Sequence, residues 1–289
     1  MPLDVTLAAA KAPEDLAEGL LSSSSHIVGI GIRGTCPHGT KCWLYYPEDD
    51  CPFYRTTVFS NYAKENCPNG DVELPTLCRG SGESVPTLSS NNNAARPGPY
   101  WSLMFEVSES TLKPVNQTPT ALGGQEWPAI VQETLAGALA MGLISPDDEI
   151  VSFHHRRLEY GYPTPSLSRD AAISKALPWL RERSIWFRGR FGSWKYEVGN
   201  QDHSLMLGVE AADNILFGTP ELTLRHPNIV NARKNEELRY ENRGTGDDAV
   251  AKAVGRAVTS GGQQGVGADA KVLNDDGSKN ATALHARAN

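Results

Sequence analysis

The run from Trp186 to Ser204 constrains this chain more than any other stretch. Aromatic rings and arginines crowd its first half, a chemistry suited to flat rings and phosphates. Gly199-Asn200-Gln201 then opens an apolar helix, so backbone N–H groups and the positive helix end face outward there. Such a helix start is a ready anion site, and small residues let a bulky ligand lie close to the backbone. The direct reading is a nucleotide or cofactor pocket closed by this segment. A buried aromatic cluster followed by an ordinary capped helix is the competing reading, and the segment by itself supports both.

At 289 residues the chain can bury a sizeable core and hold one large or two small domains. Hydrophobic residues at 39% and charged residues at 21% describe a soluble globular protein with some loose sequence. A formal charge of -7 argues against a general nucleic-acid binder. No apolar run approaches bilayer length, and the acidic start (Asp4, Glu14, Asp15, Glu18) lacks the apolar core of a secretory signal. All five cysteines (Cys36, Cys42, Cys51, Cys67, Cys78) fall in one stretch without a C-x-x-C pair or histidines at ligand spacing. They read as reduced cytosolic thiols, not as a disulfide framework or a metal site. Asn116-Gln117-Thr118 matches the glycosylation acceptor pattern, which a cytosolic chain would not use.

Ala12 to Ser22 is expected to form a short helix, followed by a serine run. His26–Ile32, Cys42–Tyr46, Tyr54–Tyr62, Tyr100–Val107 and Glu149–His155 have strand character, being β-branched or aromatic and bounded by turn formers. The stretch between Cys67 and Gly98 reads as a long, mobile polar loop centred on Ser89–Asn93. Trp127–Met141 has helical spacing, with Ile130, Leu135, Leu139 and Met141 toward one side. A second helix is expected from the cap Ser168 to about Arg183, bent or restarted at Pro178. A third is expected from about Asn200 to Phe217, stopping at Gly218 and Pro220. From Asn242 on, aromatics vanish and Gly, Ala, Asp, Asn and Lys dominate, which predicts a disordered tail with one weak helix around Ala249–Val258. Short strands mixed with a few helices point to an α+β, antiparallel-rich sheet domain with packed helices.

Gly29-Ile30-Gly31-Ile32-Arg33-Gly34 satisfies G-x-G-x-x-G letter for letter. A dinucleotide fingerprint also needs a helix to begin at those glycines, because the helix N-terminus holds the pyrophosphate. Here the glycines sit inside the expected strand, and Thr35-Cys36-Pro37-His38-Gly39-Thr40 reads as a loop. The motif is therefore refused, and the chain shows no dinucleotide-binding fold of its own.

Six segments in register resemble the C-terminal half of a eukaryotic (fungal-type) UDP-galactopyranose mutase. They are Val28–Gly34, Lys41–Asp49, Cys51–Arg55, Gly161–Pro165, Gly189–Trp194 and Tyr196–Ser204, and the similarity runs from about Ser25 to Asn231. The resemblance implies a flavoprotein isomerase of galactofuranose and cell-wall biosynthesis, interconverting UDP-galactopyranose and UDP-galactofuranose through a reduced-flavin N5–sugar adduct. FAD is the implied cofactor, flavin N5 is the expected nucleophile, and no residue of the chain is assigned a catalytic role. The implied location is cytoplasmic, without membrane, nucleic acid or metal.

The resemblance also assigns residues. Arg55, Tyr45, Tyr162 and Tyr196 match positions that hold the UDP diphosphate, one guanidinium fork and three phenols suiting phosphate oxygens. Trp43 matches an aromatic lining the substrate pocket. Arg190 matches a cofactor-contacting arginine, and Gly199, Asn200, Gln201 and Ser204 match the helix start that meets the flavin. For each, a plain packing, surface-pair or capping role is the alternative. His203 is read as a satisfied core histidine and His154-His155 as the end of a strand; all three stay outside the site, as do Asp49 and Asp50.

The implied organisation is residues 1–25 as N-terminal helix and linker, 26–160 as a substrate-side sheet domain, 161–231 as a C-terminal flavin-contacting segment, and 232–289 as a disordered tail. The family's N-terminal Rossmann part and helical substrate domain have no counterpart in the sequence. The expectation is a truncated form, or a homo-oligomer or partner chain supplying the missing half. Two alternatives stand beside it: a catalytically inactive remnant that binds UDP-sugar or a partner chain, and another flavoenzyme of the amine-oxidase-like group.

Overall fold

The computed structural model describes residues 1–83 and 95–232. In chain order the elements are helix α1 (Leu3–Ala9), strands β1 (Ser22–Arg33), β2 (Trp43–Tyr45), β3 (Arg55–Val58) and β4 (Cys78–Arg79). Strands β5 (Tyr100–Glu109), β6 (Pro119–Leu122) and β7 (Gln125–Pro128), helix α2 (Ala129–Ala140) and strand β8 (Glu149–Pro163) follow. Helices α3 (Arg169–Arg181), α4 (Gln201–Phe217), α5 (Leu222–Arg225) and α6 (Pro227–Ala232) complete the order. They form two compact units: Leu21–Thr164, and Met1–Leu20 together with the chain from Pro165 on. The expectations for Ser89–Asn93, for the tail after residue 232 and for a helix at 249–258 lie outside the described residues.

The first unit is built on a six-stranded antiparallel sheet in the order β2-β3-β5-β1-β8-β4. Alternation selects its faces. Val28, Ile30 and Ile32 of β1 and Trp101, Leu103, Phe105 and Val107 of β5 are buried in one core with Phe53, Val58 and Ile150. Ile130, Val131, Leu135 and Ala138 of α2 close that core over the sheet. The other face receives the intervening residues. One rung of it runs across five strands as Tyr45, Arg55, Glu106, Ile27 and Arg156. The next runs Trp43, Thr57, Met104, Gly29 and His154.

The refused glycine motif has a sheet role. A Cβ at Gly31 would stand 2.2 Å from Ser152 Oγ, and one at Gly29 would stand 3.2 Å from His154 Cβ. These glycines let β8 side chains lie across β1.

Several expectations need correction. The helix at Ala12–Ser22 does not form; α1 spans Leu3–Ala9, and only a 3-10 turn, Glu14–Leu16, follows. Leu3, Thr6 and Leu7 are buried on one side of α1, which is the spacing that binds it. The serine run is part of β1, because pairing with β5 and β8 outweighs the weak strand propensity of serine. The segment Tyr54–Tyr62 is a strand only over Arg55–Val58 and then turns at Phe59–Asn61. Conversely, β8 continues well past His155 to Pro163, so Gly161 and Tyr162 belong to the sheet and not to the following segment. The β6–β7 hairpin was unforeseen; its loop is Gly123-Gly124, both at positive φ (59° and 78°), the geometry of a tight hairpin turn.

In the second unit, α3 runs through Pro178 without restarting, held by the buried side chains Ala172, Ile173, Ala176 and Leu180. Ser168 stands at its N-cap but makes no capping bond. Helix α4 ends as the sequence predicts, at Gly218 with φ 70°. Among the described residues no helix is long and apolar enough to cross a membrane.

Candidate functional site

The candidate residues of the sheet unit come together on its open face. Tyr45 and Arg55 are cross-strand partners on β2 and β3, and Arg55 is in turn opposite Glu106 on β5. Arg55 Nε and Nη2 donate to Glu106 Oε1 at 2.8 and 2.5 Å, and Nη2 also reaches Tyr162 Oη at 3.2 Å. The Tyr45 ring lies 5.9 Å from the guanidinium carbon. The phenol of Tyr54 donates to the second carboxylate oxygen, Glu106 Oε2, at 2.6 Å. Tyr45, Arg55 and Tyr162 therefore form one cluster, drawn from three strands.

The electrostatics keep the Arg55 guanidinium charged within its pair with Glu106. Burial lowers the Arg55 pKa, but its hydrogen bonds to Glu106 and Tyr45 and the nearby carboxylate outweigh that and hold it above the ordinary value. Burial and then Glu106 push the Tyr54 phenol well up, so it stays protonated and can only donate to that carboxylate. Trp43 and Tyr45 project from β2 and are 56% and 65% exposed. Trp43 meets Tyr62 edge-on at 5.8 Å between ring centroids. An oriented guanidinium beside exposed phenol and indole rings suits an anion carrying a flat or apolar group.

Glu106 was missed by the sequence reading, although a signal exists. In β5 the core residues are Trp101, Leu103, Phe105 and Val107, which leaves the lone carboxylate of Glu106 on the face that carries Arg55. A charge at an outward position of an otherwise apolar strand is the pattern to look for.

In the second unit, Arg190, Gly199, Asn200, Gln201 and Ser204 gather at the start of α4. Arg190 Nε donates to the Gly199 carbonyl at 2.7 Å, and Ser204 N–H to the Asn200 carbonyl at 2.8 Å. Asn200 is extended (φ -72°, ψ 169°), and its side chain makes no capping bond to the helix. The first-turn amides of α4 are thus left uncapped by the residue best placed to cap them. Tyr196 lies in the 3-10 turn Tyr196–Val198 and is exposed. Its neighbour Glu197 takes a bidentate ion pair from Arg169 of α3, at 2.8 and 2.7 Å, which fixes the turn.

The 186–204 run contains the buried aromatic packing of the competing reading. Trp194 is fully buried, holds φ 54°, and packs edge-on against Phe191 at 5.5 Å, which is the aromatic-cluster reading. That packing supports the turn from which Arg190 reaches the helix start. The histidines differ from expectation. His203 Nδ1 is buried with no hydrogen-bond partner, so this is not a satisfied core histidine. His154 and His155 lie within β8, not at its end; His155 Nε2 meets Nδ1 of the fully buried His26 at 2.9 Å, and His26 Nε2 meets Glu109 at 3.2 Å. All five cysteines are free.

No protein-family model matches the chain. Among solved structures, the crystal structure of reduced UDP-galactopyranose mutase is similar, with a TM-score of 0.63 and 39% sequence identity. The match covers 81% of this chain and 44% of that chain, so the chain spans less than half the length of the mutase it matches. The likeness supports a mutase-like relationship, with a mixed α/β architecture and an antiparallel sheet to match.

Proposed function

We propose that this chain carries the substrate-side and flavin-contacting part of a fungal-type UDP-galactopyranose mutase, a cytoplasmic isomerase that interconverts UDP-galactopyranose and UDP-galactofuranose. The observation that carries the reading is the Tyr45–Arg55–Tyr162 cluster, found in a chain 39% identical to a UDP-galactopyranose mutase over its matched length.

In this reading Arg55 and the phenols of Tyr45 and Tyr162 bind the diphosphate of the sugar nucleotide. One cation with neutral donors stabilises the leaving diphosphate yet lets it return, because the charge is shared and not fully neutralised. Glu106 and Tyr54 set the plane of the guanidinium before the ligand arrives. Trp43 walls the substrate with an apolar surface.

The uncapped first turn of α4, with Gly189 at φ 93° near Ser204, supports a flavin ring at this helix end. Arg190, Gly199, Asn200, Gln201 and Ser204 would hold it there. The reduced flavin supplies the nucleophile, its N5, which accounts for a sequence without a convincing nucleophile–base pair. The helix dipole of α4 favours negative charge at that end.

Incubating the purified chain with FAD, a reductant and UDP-galactofuranose, then separating UDP-galactopyranose by chromatography, tests this reading. Turnover by this chain, or after it is joined to the remainder of a mutase, supports it; no turnover in either form overturns it. UDP binding by calorimetry without turnover would instead favour the second reading, a catalytically inactive remnant that binds UDP-sugar or a partner chain.

A further inference from the structure

An irregularity in the sheet decides where Tyr162 stands. From Gly31 back to Ser25, β1 pairs with β8 in an unbroken register that ends with Ser25 opposite Leu158. Continued, that register would set Ser23 opposite Tyr160. Instead Ser23 faces Tyr162, so Glu159, Tyr160 and Gly161 of β8 stand opposite Ser24 alone, a β-bulge with two extra residues. An even shift leaves Tyr162 on the same face of the sheet. It also carries Tyr162 two residues, about 7 Å, along the strands toward the rung that holds Arg55. The 3.2 Å contact between Arg55 Nη2 and Tyr162 Oη depends on that displacement.

The bulge is locked from both strands. Ser24 Oγ donates to the Glu159 carbonyl at 2.9 Å and accepts from Arg157 Nη2 at 3.0 Å. Arg157 Nε donates to Glu109 Oε2 of β5 at 2.5 Å, and Nε2 of the fully buried His26 meets the same oxygen at 3.2 Å. Gly161 packs directly on β1: a Cβ there would lie 2.2 Å from Ser25 Oγ and 2.9 Å from Ser25 Cβ. We propose that this bulge, locked by Ser24 and Gly161, is the positioning element that selects Tyr162, and not Tyr160, as the phenol presented beside Arg55. What the phenol does there rests on the proposed function; where it stands does not, so the two fail separately.

The test follows Tyr162 by nuclear magnetic resonance in the full chain carrying isotope-labelled tyrosine, its signals assigned through Tyr162→Phe. The wild type should show a nuclear Overhauser contact between the rings of Tyr162 and Tyr54, whose centroids lie 6.5 Å apart. Gly161→Ala and Ser24→Ala should each lose it. Adding Ser25→Gly to Gly161→Ala removes the Oγ and Cβ that the new Cβ would meet, and should restore the contact. UDP affinity, by calorimetry, should follow: about 3- to 10-fold weaker in the two single variants, the range of one neutral hydrogen bond. Adding Tyr162→Phe to either should weaken it no further, a non-additivity that a merely structural role would not produce. Ser24→Ala deletes one hydroxyl, so it carries the test even where Gly161→Ala does not fold. A ring contact that persists in Ser24→Ala overturns the proposal, as does a loss of affinity to which Tyr162→Phe adds in full. A contact that follows the substitutions in a chain that binds no UDP leaves the bulge standing as what seats Tyr162 and removes the proposed function.

Discussion

Arg55 and Glu106 stand opposite one another on β3 and β5, and two guanidinium nitrogens of Arg55 converge on the one oxygen Glu106 Oε1. The other oxygen takes the Tyr54 phenol, and Arg55 also reaches Tyr162. The guanidinium is thereby held in a fixed plane on the open face of the sheet. Positioning of this kind reduces the ordering cost of binding an anion.

Arg55→Ala should lower UDP affinity about 10- to 100-fold, the worth of a charge-assisted contact. It should also lower stability by about 1–3 kcal/mol, since it leaves the buried Glu106 carboxylate without its cation. Adding Glu106→Gln to Arg55→Ala should recover most of the stability and none of the affinity. Calorimetry with UDP and thermal unfolding of the three variants separate the two roles. Equal loss of both properties in the double variant would show that Arg55 only holds the fold.

Single hydroxyl deletions should be gentler. Tyr45→Phe and Tyr162→Phe should each weaken UDP binding about 3- to 10-fold, the range of one neutral hydrogen bond. Tyr45 is exposed, so its variant should unfold within about 0.5 kcal/mol of wild type. Unchanged UDP affinity in both would remove the phenols from the site.

Stability should fall as pH drops from 7 toward 5. Burial, then the neighbouring His26 and His154, hold His155 below its ordinary value, and burial, Arg225 and Lys195 do the same for His226. A histidine depressed in the folded state contributes stability above its unfolded pKa, near 6.5, and loses it as pH falls. Glu109, lowered by Arg157 and His26 against the cost of burial, adds a second loss only below about pH 4.5, its unfolded value. Urea midpoints across pH 5–7.5 for wild type and His155→Gln measure this; the variant should show the shallower slope.

The turn that carries Arg190 should not tolerate a side chain at Gly192. A Cβ there would lie 2.1 Å from the Arg188 carbonyl oxygen, a backbone atom that cannot rotate away. Gly192→Ala should cost about 1–3 kcal/mol in thermal unfolding, as overpacking does. A variant with the wild-type unfolding temperature would mean that the turn is looser than described.

Thiol labelling reads the sheet unit directly. Cys51 and Cys78 are buried, and burial pushes the Cys78 thiol up to about 11. Cys36, Cys42 and Cys67 are partly exposed. A disulfide reagent at pH 8 should modify three thiols quickly and the remaining two only on unfolding. Five fast thiols in the native chain would contradict the core.

Much of this organisation is local and therefore legible in the chain. The period-two alternation of β1 and β5 and the glycine stop at Gly218 are short-range signals, as is the helix start at Gln201, and the structure follows them. The failures share a cause. The serine run becomes strand, and β8 extends through Arg156–Pro163, because partner strands supply hydrogen bonds that no local propensity encodes. Likewise the sequence could nominate Arg55, Tyr45 and Tyr162 one by one, but Glu106 joins them only through the register of β3 against β5. Nor could it show that His203 Nδ1 is left unsatisfied, or that Leu205, Val209 and Leu216 face outward, because both depend on what packs against α4. The chain alone nominated the residues of the candidate site. The tertiary structure decided their company, since contacts between distant segments follow from packing and strand register and not from spacing along the chain.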